Sequence, residues 1–169
     1  MESVFNSLVQ ILGKRNTDPA VIAILASFGE LSRNYDIPGG YQVSEFNDMG
    51  IGTAYDLGAE RFYSVSVELS GKQVREGKRK PFPSPIYAAI ASSDHPKEIE
   101  LKLGASPKSL QTLGPYWRVR YEVGPHLLDC LFELEDGPIQ AMTVYSIDML
   151  KEMFKEEETY ELFVQGISV

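Results

Sequence analysis

Residues 41–69 read YQVSEFNDMGIGTAYDLGAERFYSVSVEL, and this stretch decides the fold class. Its last segment alternates: Tyr63, Val65, Val67 and Leu69 fall on one face of a strand, and Ser64, Ser66 and Glu68 on the other. A strand turns successive side chains to opposite faces, so the alternation predicts a sheet with one buried side. Two shorter β-rich segments, 41–46 and 51–57, precede it. Their separators, Asn47-Asp48-Met49-Gly50 and Gly58-Ala59-Glu60-Arg61, have the chemistry of hairpin turns. The stretch is therefore predicted to be a three-stranded antiparallel meander.

Upstream, Val4, Phe5, Leu8, Val9, Ile11 and Leu12 recur at helical spacing and predict an amphipathic helix over 2–13. A second helix begins at Thr17-Asp18-Pro19. Asp18 can accept from free backbone N–H groups, and proline suits the first turn because its missing N–H would have no partner there. This helix is expected to bury Val21, Ile24, Leu25 and Phe28 and to stop at Gly29. A loop containing Ile37-Pro38-Gly39-Gly40 leads into the meander.

Downstream, SGKQVREGKRK (70–80) has no apolar period and predicts a solvated basic connector, followed by the stiff PFPSP of 81–85. Ser93-Asp94-His95-Pro96 then opens a helix carrying Ile99, Leu101 and Leu103 before Gly104. Strands are expected at 116–123, 127–135 and 139–147, with Trp117, Val119, Tyr121 and Val123 on one face of the first and Arg118, Arg120 and Glu122 on the other. Equivalent positions recur: Pro19 to Pro96 is 77 residues, Gly29 to Gly104 is 75, Val43 to Val119 is 76, and Val65 to Met142 is 77. Such a period predicts duplication. In the tail, Asp148 is expected to cap a short helix with Met149, Leu150, Met153 and Phe154, ended by Glu156-Glu157-Glu158. Tyr160, Leu162 and Val164 then alternate as a strand would. The expected fold is α+β: two tandem modules, each a helix or helix-turn-helix plus a three-stranded antiparallel meander, with a C-terminal helix/strand extension. Its boundaries are 1–70, a basic linker at 71–80, 81–147, and 148–169.

The 169 residues hold 24 acidic and 16 basic side chains, a formal charge of −8. That excess disfavours nucleic acid, where clustered cations must displace counterions, and suits a positively charged partner. A single cysteine, Cys130, excludes an internal disulfide and a multi-cysteine metal cage. The opening MESVFNSLVQILGKR has no basic region ahead of an unbroken apolar run, and no stretch approaches the roughly 20 apolar residues of a membrane span. A cytoplasmic location away from the membrane is expected.

The residues give no sign of catalysis. His95 and His126 lie in different segments without ligand spacing. Cys130 sits in an apolar strand, where cysteine is usually a small buried side chain. Asp36, Asp48, Asp56, Asp94, Asp129 and Asp136 are scattered near turns, which aspartate favours for its backbone hydrogen bonds. No catalytic, cofactor or metal site is predicted. A meander backed by helices leaves its other side open, and nine Tyr, eight Phe and Trp117 supply interface-type residues. Asp48, Asp56, Asp129, Glu133, Glu135 and Asp136 are the candidate partner contacts.

Leu12, Gly13, Asp18, Pro19, Val21, Leu25, Phe28 and Gly29, then Tyr41, Phe46, Gly50 and Ile51, and later Pro81, Phe82, Pro83, Leu103 and Gly104, form a recognisable series. It resembles a group of bacterial immunity proteins that protect against polymorphic toxins. The tandem arrangement resembles the fold of the beta-lactamase inhibitor protein and, as a single module, the assembly lipoprotein BamE. The resemblance implies an antitoxin-like inhibitor in bacterial competition, binding and occluding a cognate toxin domain with a basic cleft, without catalysis. An adaptor or chaperone for a secreted effector, and a small hydrolase using spatially gathered aspartates, are the alternatives.

Overall fold

The structure is a computed structural model that describes residues 4–70, 80–83, 86–133 and 137–166. Two helices, α1 (Val4–Val9) and α2 (Pro19–Ser27), lead into four strands: β1 (Arg33–Ile37), β2 (Tyr41–Phe46), β3 (Ile51–Asp56) and β4 (Arg61–Glu68). A single helix, α3 (Pro96–Leu103), precedes β5 (Ser109–Leu113), β6 (Tyr116–Val123), β7 (His126–Glu133) and β8 (Ile139–Ser146). The described chain closes with α4 (Ile147–Phe154) and α5 (Glu157–Val164).

All eight strands form one antiparallel sheet in the order β1-β2-β3-β4-β8-β7-β6-β5. The order reads the same from either edge, and the β4–β8 ladder sits at its centre, pairing Val65 with Val144. Each flank is four-stranded, where three strands were expected. The added strands are the two edges, RNYDI and SLQTL, which are polar or exposed along most of their length.

Directly paired residues share a side of the sheet. One row across it runs Phe46, Ile51, Val67, Met142, Cys130, Val119, and every member is buried. Phe5, Leu8, Val21, Phe28, Phe82, Ile90 and Ile99 pack on this side in the same apolar cluster. Edge-to-face ring pairs lock the layers, with centroids 6.3 Å apart for Phe5–Phe82 and 5.7 Å for Phe28–Phe46. Side chains of this kind contribute about 1.5–3 kcal/mol each when fully buried.

Local chemistry explains the helices. Asp18 Oδ1 accepts the Ala20 N–H at 2.8 Å, Pro19 takes the first turn, and Gly29 turns left-handed at φ 86°. In α2, Val21 and Phe28 are buried, while Ile24 and Leu25 are half-buried. The first helix ends at Val9 rather than near Gly13, and Leu12 instead bridges Phe62 of β4. In α3, Ile99 is fully buried but Leu101 is 83% exposed, so it is not a core position. Gly50 has φ +64°, and a Cβ there would lie 2.2 Å from the Lys80 carbonyl oxygen, so this turn has room only for glycine.

Four further expectations are corrected. A register shift opposite Ala54/Tyr55 puts an extra residue into β4, and Tyr63 turns away from Val65 to meet Tyr41 and Tyr145 on the second side. Val43 pairs with Ala54 on that second side, whereas Val119 lies on the buried side, so the 76-residue offset between them joins unlike positions. The residues expected as a terminal strand form α5 instead. Lys155, left-handed at φ 59°, reverses the chain between the last two helices, and Glu157 and Glu158 enter the first turn of α5, where the helix dipole favours negative charge. Ser146, not Asp148, caps α4, its Oγ accepting from the Met149 N–H at 3.3 Å. Of the basic connector 70–80, residues 71–79 lie outside the described residues.

Candidate functional site

Among the described residues, the helices that pack on the second side of the sheet are α4 and α5, and Glu45, Ala54, Ser64 and Glu68 on that side are each at most 8% exposed. The central rows of this side carry small side chains: Gly52, Ser66 and Thr143 in one, Ala54 and Ser64 in the next. Over β6–β8 lies the α4–α5 pair, seated on a separate apolar cluster of Leu127, Leu150, Tyr160 and Val164, against which Tyr145, Phe154 and Phe163 pack.

Charge fastens that helix pair. Arg120, 4% exposed, donates from Nε to Asp129 Oδ2 at 3.0 Å, and its guanidinium carbon stands 4.6 Å from the Phe163 ring centroid. Arg120 Nη1 also donates to the Phe163 carbonyl. Arg118 Nε lies 3.2 Å from Asp129 Oδ1, at an ion-pair distance but outside hydrogen-bond geometry. Tyr160 donates to Glu122 at 2.9 Å, and Ser109 Oγ donates to the Val164 carbonyl at 2.7 Å.

An aromatic row continues from the helix pair onto β4 and β2. Phe163 meets Tyr145 edge-on at 5.6 Å, Tyr145 stacks on Tyr63 at 6.5 Å, and Tyr63 tilts against Tyr41 at 5.3 Å. Burial, then the neighbouring Tyr41 and Asp56, pushes the Tyr63 hydroxyl up to about 12. Burial and Asp56 raise Tyr41 as well, and burial followed by Asp129 raises Tyr145. All three phenols keep their protons at neutral pH and stand ready as hydrogen-bond donors. Away from the row, Glu45 is 5% exposed and accepts from the Tyr35 hydroxyl at 3.2 Å. Glu68, also 5% exposed, accepts from Ser70 Oγ at 2.8 Å.

Among the described residues, the sequence-selected acids do not form one surface. Asp129 is 7% exposed and engaged by Arg118 and Arg120, so it is not a surface contact. Asp56 shapes the β3–β4 turn by accepting from the Gly58 and Ala59 N–H groups at 2.8 and 3.0 Å. Asp48 is exposed and paired with Lys80 at 2.7 Å. Glu133 ends β7, and Glu135 and Asp136 lie outside the described residues. Asp94 is buried against Lys102 at 2.5 Å. Cys130 is fully buried, and burial raises its thiol. His95 is exposed, whereas His126 is half-buried with its Nδ1 unpartnered, and burial lowers its basicity. Among the described residues, no three metal-ligating side chains gather. The tyrosine row was hidden in the sequence because the bulge at Tyr63 reverses its face.

No family model matches the chain, and no curated protein matches it. Solved structures do. A cysteine-rich secretory protein from Staphylococcus aureus superposes with a TM-score of 0.52 at 15% identity, covering 83% of this chain and 45% of that one. An extracellular protein containing a SCP domain, from Bacillus anthracis, gives 0.56 at 14% identity, covering 92% and 50%. A DUF4309 family protein (YjgB) from Bacillus subtilis gives 0.50 at 14% identity, covering 85% and 93%. The likeness is one of fold.

The chain spans about half the length of the first two structures. These neighbours correct two expectations. None is described as an immunity protein, and the sequence series that suggested one consists of caps, turns and core positions that unrelated folds also use. The cytoplasmic expectation falls with it, since the neighbours include a secretory and an extracellular protein.

Proposed function

We propose that this chain is a non-catalytic binding module that engages another protein through the half-buried tyrosines of its second sheet side. One observation carries the reading: the Tyr145–Tyr63–Tyr41 row emerges from beneath the helix pair beside a floor of glycine, alanine, serine and threonine. Tyrosines offer large contact area at low entropic cost. The charge of −8 suits a partner surface of opposite sign, approached faster at low salt. We further propose that the two sheet flanks are copies of one helix-plus-four-strand unit. The palindromic strand order and the paired helix stops at Gly29 and Gly104 support it.

A photo-crosslinking residue at position 63, compared with one at exposed Ala23 on the helix-backed side, tests the binding face in source cells. The expected result is a discrete protein adduct from position 63 that is absent from position 23. Equal adducts from both positions, or an adduct from position 23 alone, would reject it.

A further inference from the structure

The two edges of the sheet are built differently. At β1, Arg33 and Asp36 stand exposed on the strand, the usual way an edge is kept from pairing with another chain. At β5, Ser109-Leu110-Gln111-Thr112-Leu113 contains no charge, proline or glycine, and Leu110 and Leu113 are 50% and 37% exposed. Among the described residues, no strand pairs on its outer side.

We propose that β5 pairs with β5 of a second copy of this chain, antiparallel about a twofold axis, joining two eight-stranded sheets. A backbone edge is satisfied by another strand, and an antiparallel pair of identical strands is self-complementary. The composition of β5 fits that occupant. Around a twofold axis each residue meets itself or a close neighbour, so a charged strand would oppose its own charge. A pairing centred on Gln111 sets Leu110 opposite Thr112 of the copy and Ser109 opposite Leu113, with no like charges across the ladder. Every strand pair already in the sheet is antiparallel, so the new ladder continues its geometry. The cost is long-range repulsion between two bodies of charge −8, which salt screens over a Debye length of about 10 Å at 0.1 M.

The test is sedimentation equilibrium of the full chain at low and high salt, with Leu110→Lys and Leu113→Lys compared against Asn34→Lys on the other edge. Dimer is expected, with association strengthening as salt rises. Each β5 variant should weaken it at least tenfold, because the axis counts every substitution twice, while Asn34→Lys should leave it unchanged. Amide exchange at 109–113 should slow as protein concentration increases. A monomer at all salt concentrations, a dimer indifferent to both β5 variants, or β5 exchange independent of concentration would overturn the proposal. Circular dichroism of each variant separates loss of pairing from loss of fold.

Discussion

Arg120 and Asp129 face each other across β6 and β7, with Arg120 Nε and Nη2 both 3.0 Å from Asp129 Oδ2 at 4% and 7% exposure. Removing one partner strands a buried charge, which typically costs about 3–5 kcal/mol, whereas replacing both by apolar groups is often neutral. Asp129→Ala should therefore destabilise the fold by that amount in urea denaturation. Arg120→Met with Asp129→Leu should recover most of it.

Gly50 gives a second prediction. Its left-handed backbone and the Lys80 carbonyl 2.2 Å from a would-be Cβ both resist a side chain. Gly50→Ala should cost about 2 kcal/mol or more. Gly124 has φ +58° with nothing within 4 Å, so Gly124→Ala isolates the backbone cost, about 1 kcal/mol. The difference between the two denaturation midpoints measures the crowding at position 50.

The tyrosine row predicts an alkaline limit. Tyr63 holds its proton to about 12 when folded, against 10.0 when unfolded. Below pH 10 both states are protonated and the contribution is intact. From pH 10 to about 12 the unfolded chain ionises first, so stability falls across that window. Half-buried Tyr145, also raised chiefly by desolvation, acts in the same direction. Denaturation midpoints across the window should decline, and Tyr63→Phe should flatten the decline.

Cys130 lies on the buried side with its thiol raised chiefly by burial, and Asp129 adds to the shift. Thiolate is the reactive form, so a thiol reagent should label native protein only through opening of the fold. Labelling should accelerate with denaturant in step with unfolding; rapid labelling of the native protein would contradict this placement.

The central strands were legible because burial on one side imposes alternation: Val65 and Val67 in β4, and Val119 and Tyr121 in β6, are buried as their spacing predicts. The capped helix at Asp18 was equally plain. The edges were not, because RNYDI and SLQTL bury little and leave no apolar signature. Tyr160 and Val164 are compatible with either a strand or a helix face, and packing on Leu127 selects the helix. Tyr63 was misplaced because a bulge depends on the partner strand. Asp129 was misread as a surface acid for a related reason: its partners Arg118 and Arg120 arrive from another strand, and strand register is nonlocal.

The central ladder has a consequence for synthesis. Val65 of β4 pairs with Val144 of β8, roughly 80 residues later. At about 5–20 residues per second, the ribosome delivers β8 some 4–16 s after β4. Through that interval β4 has no β8 to pair with, so the growing polypeptide carries an open strand edge that is exposed to wrong pairing.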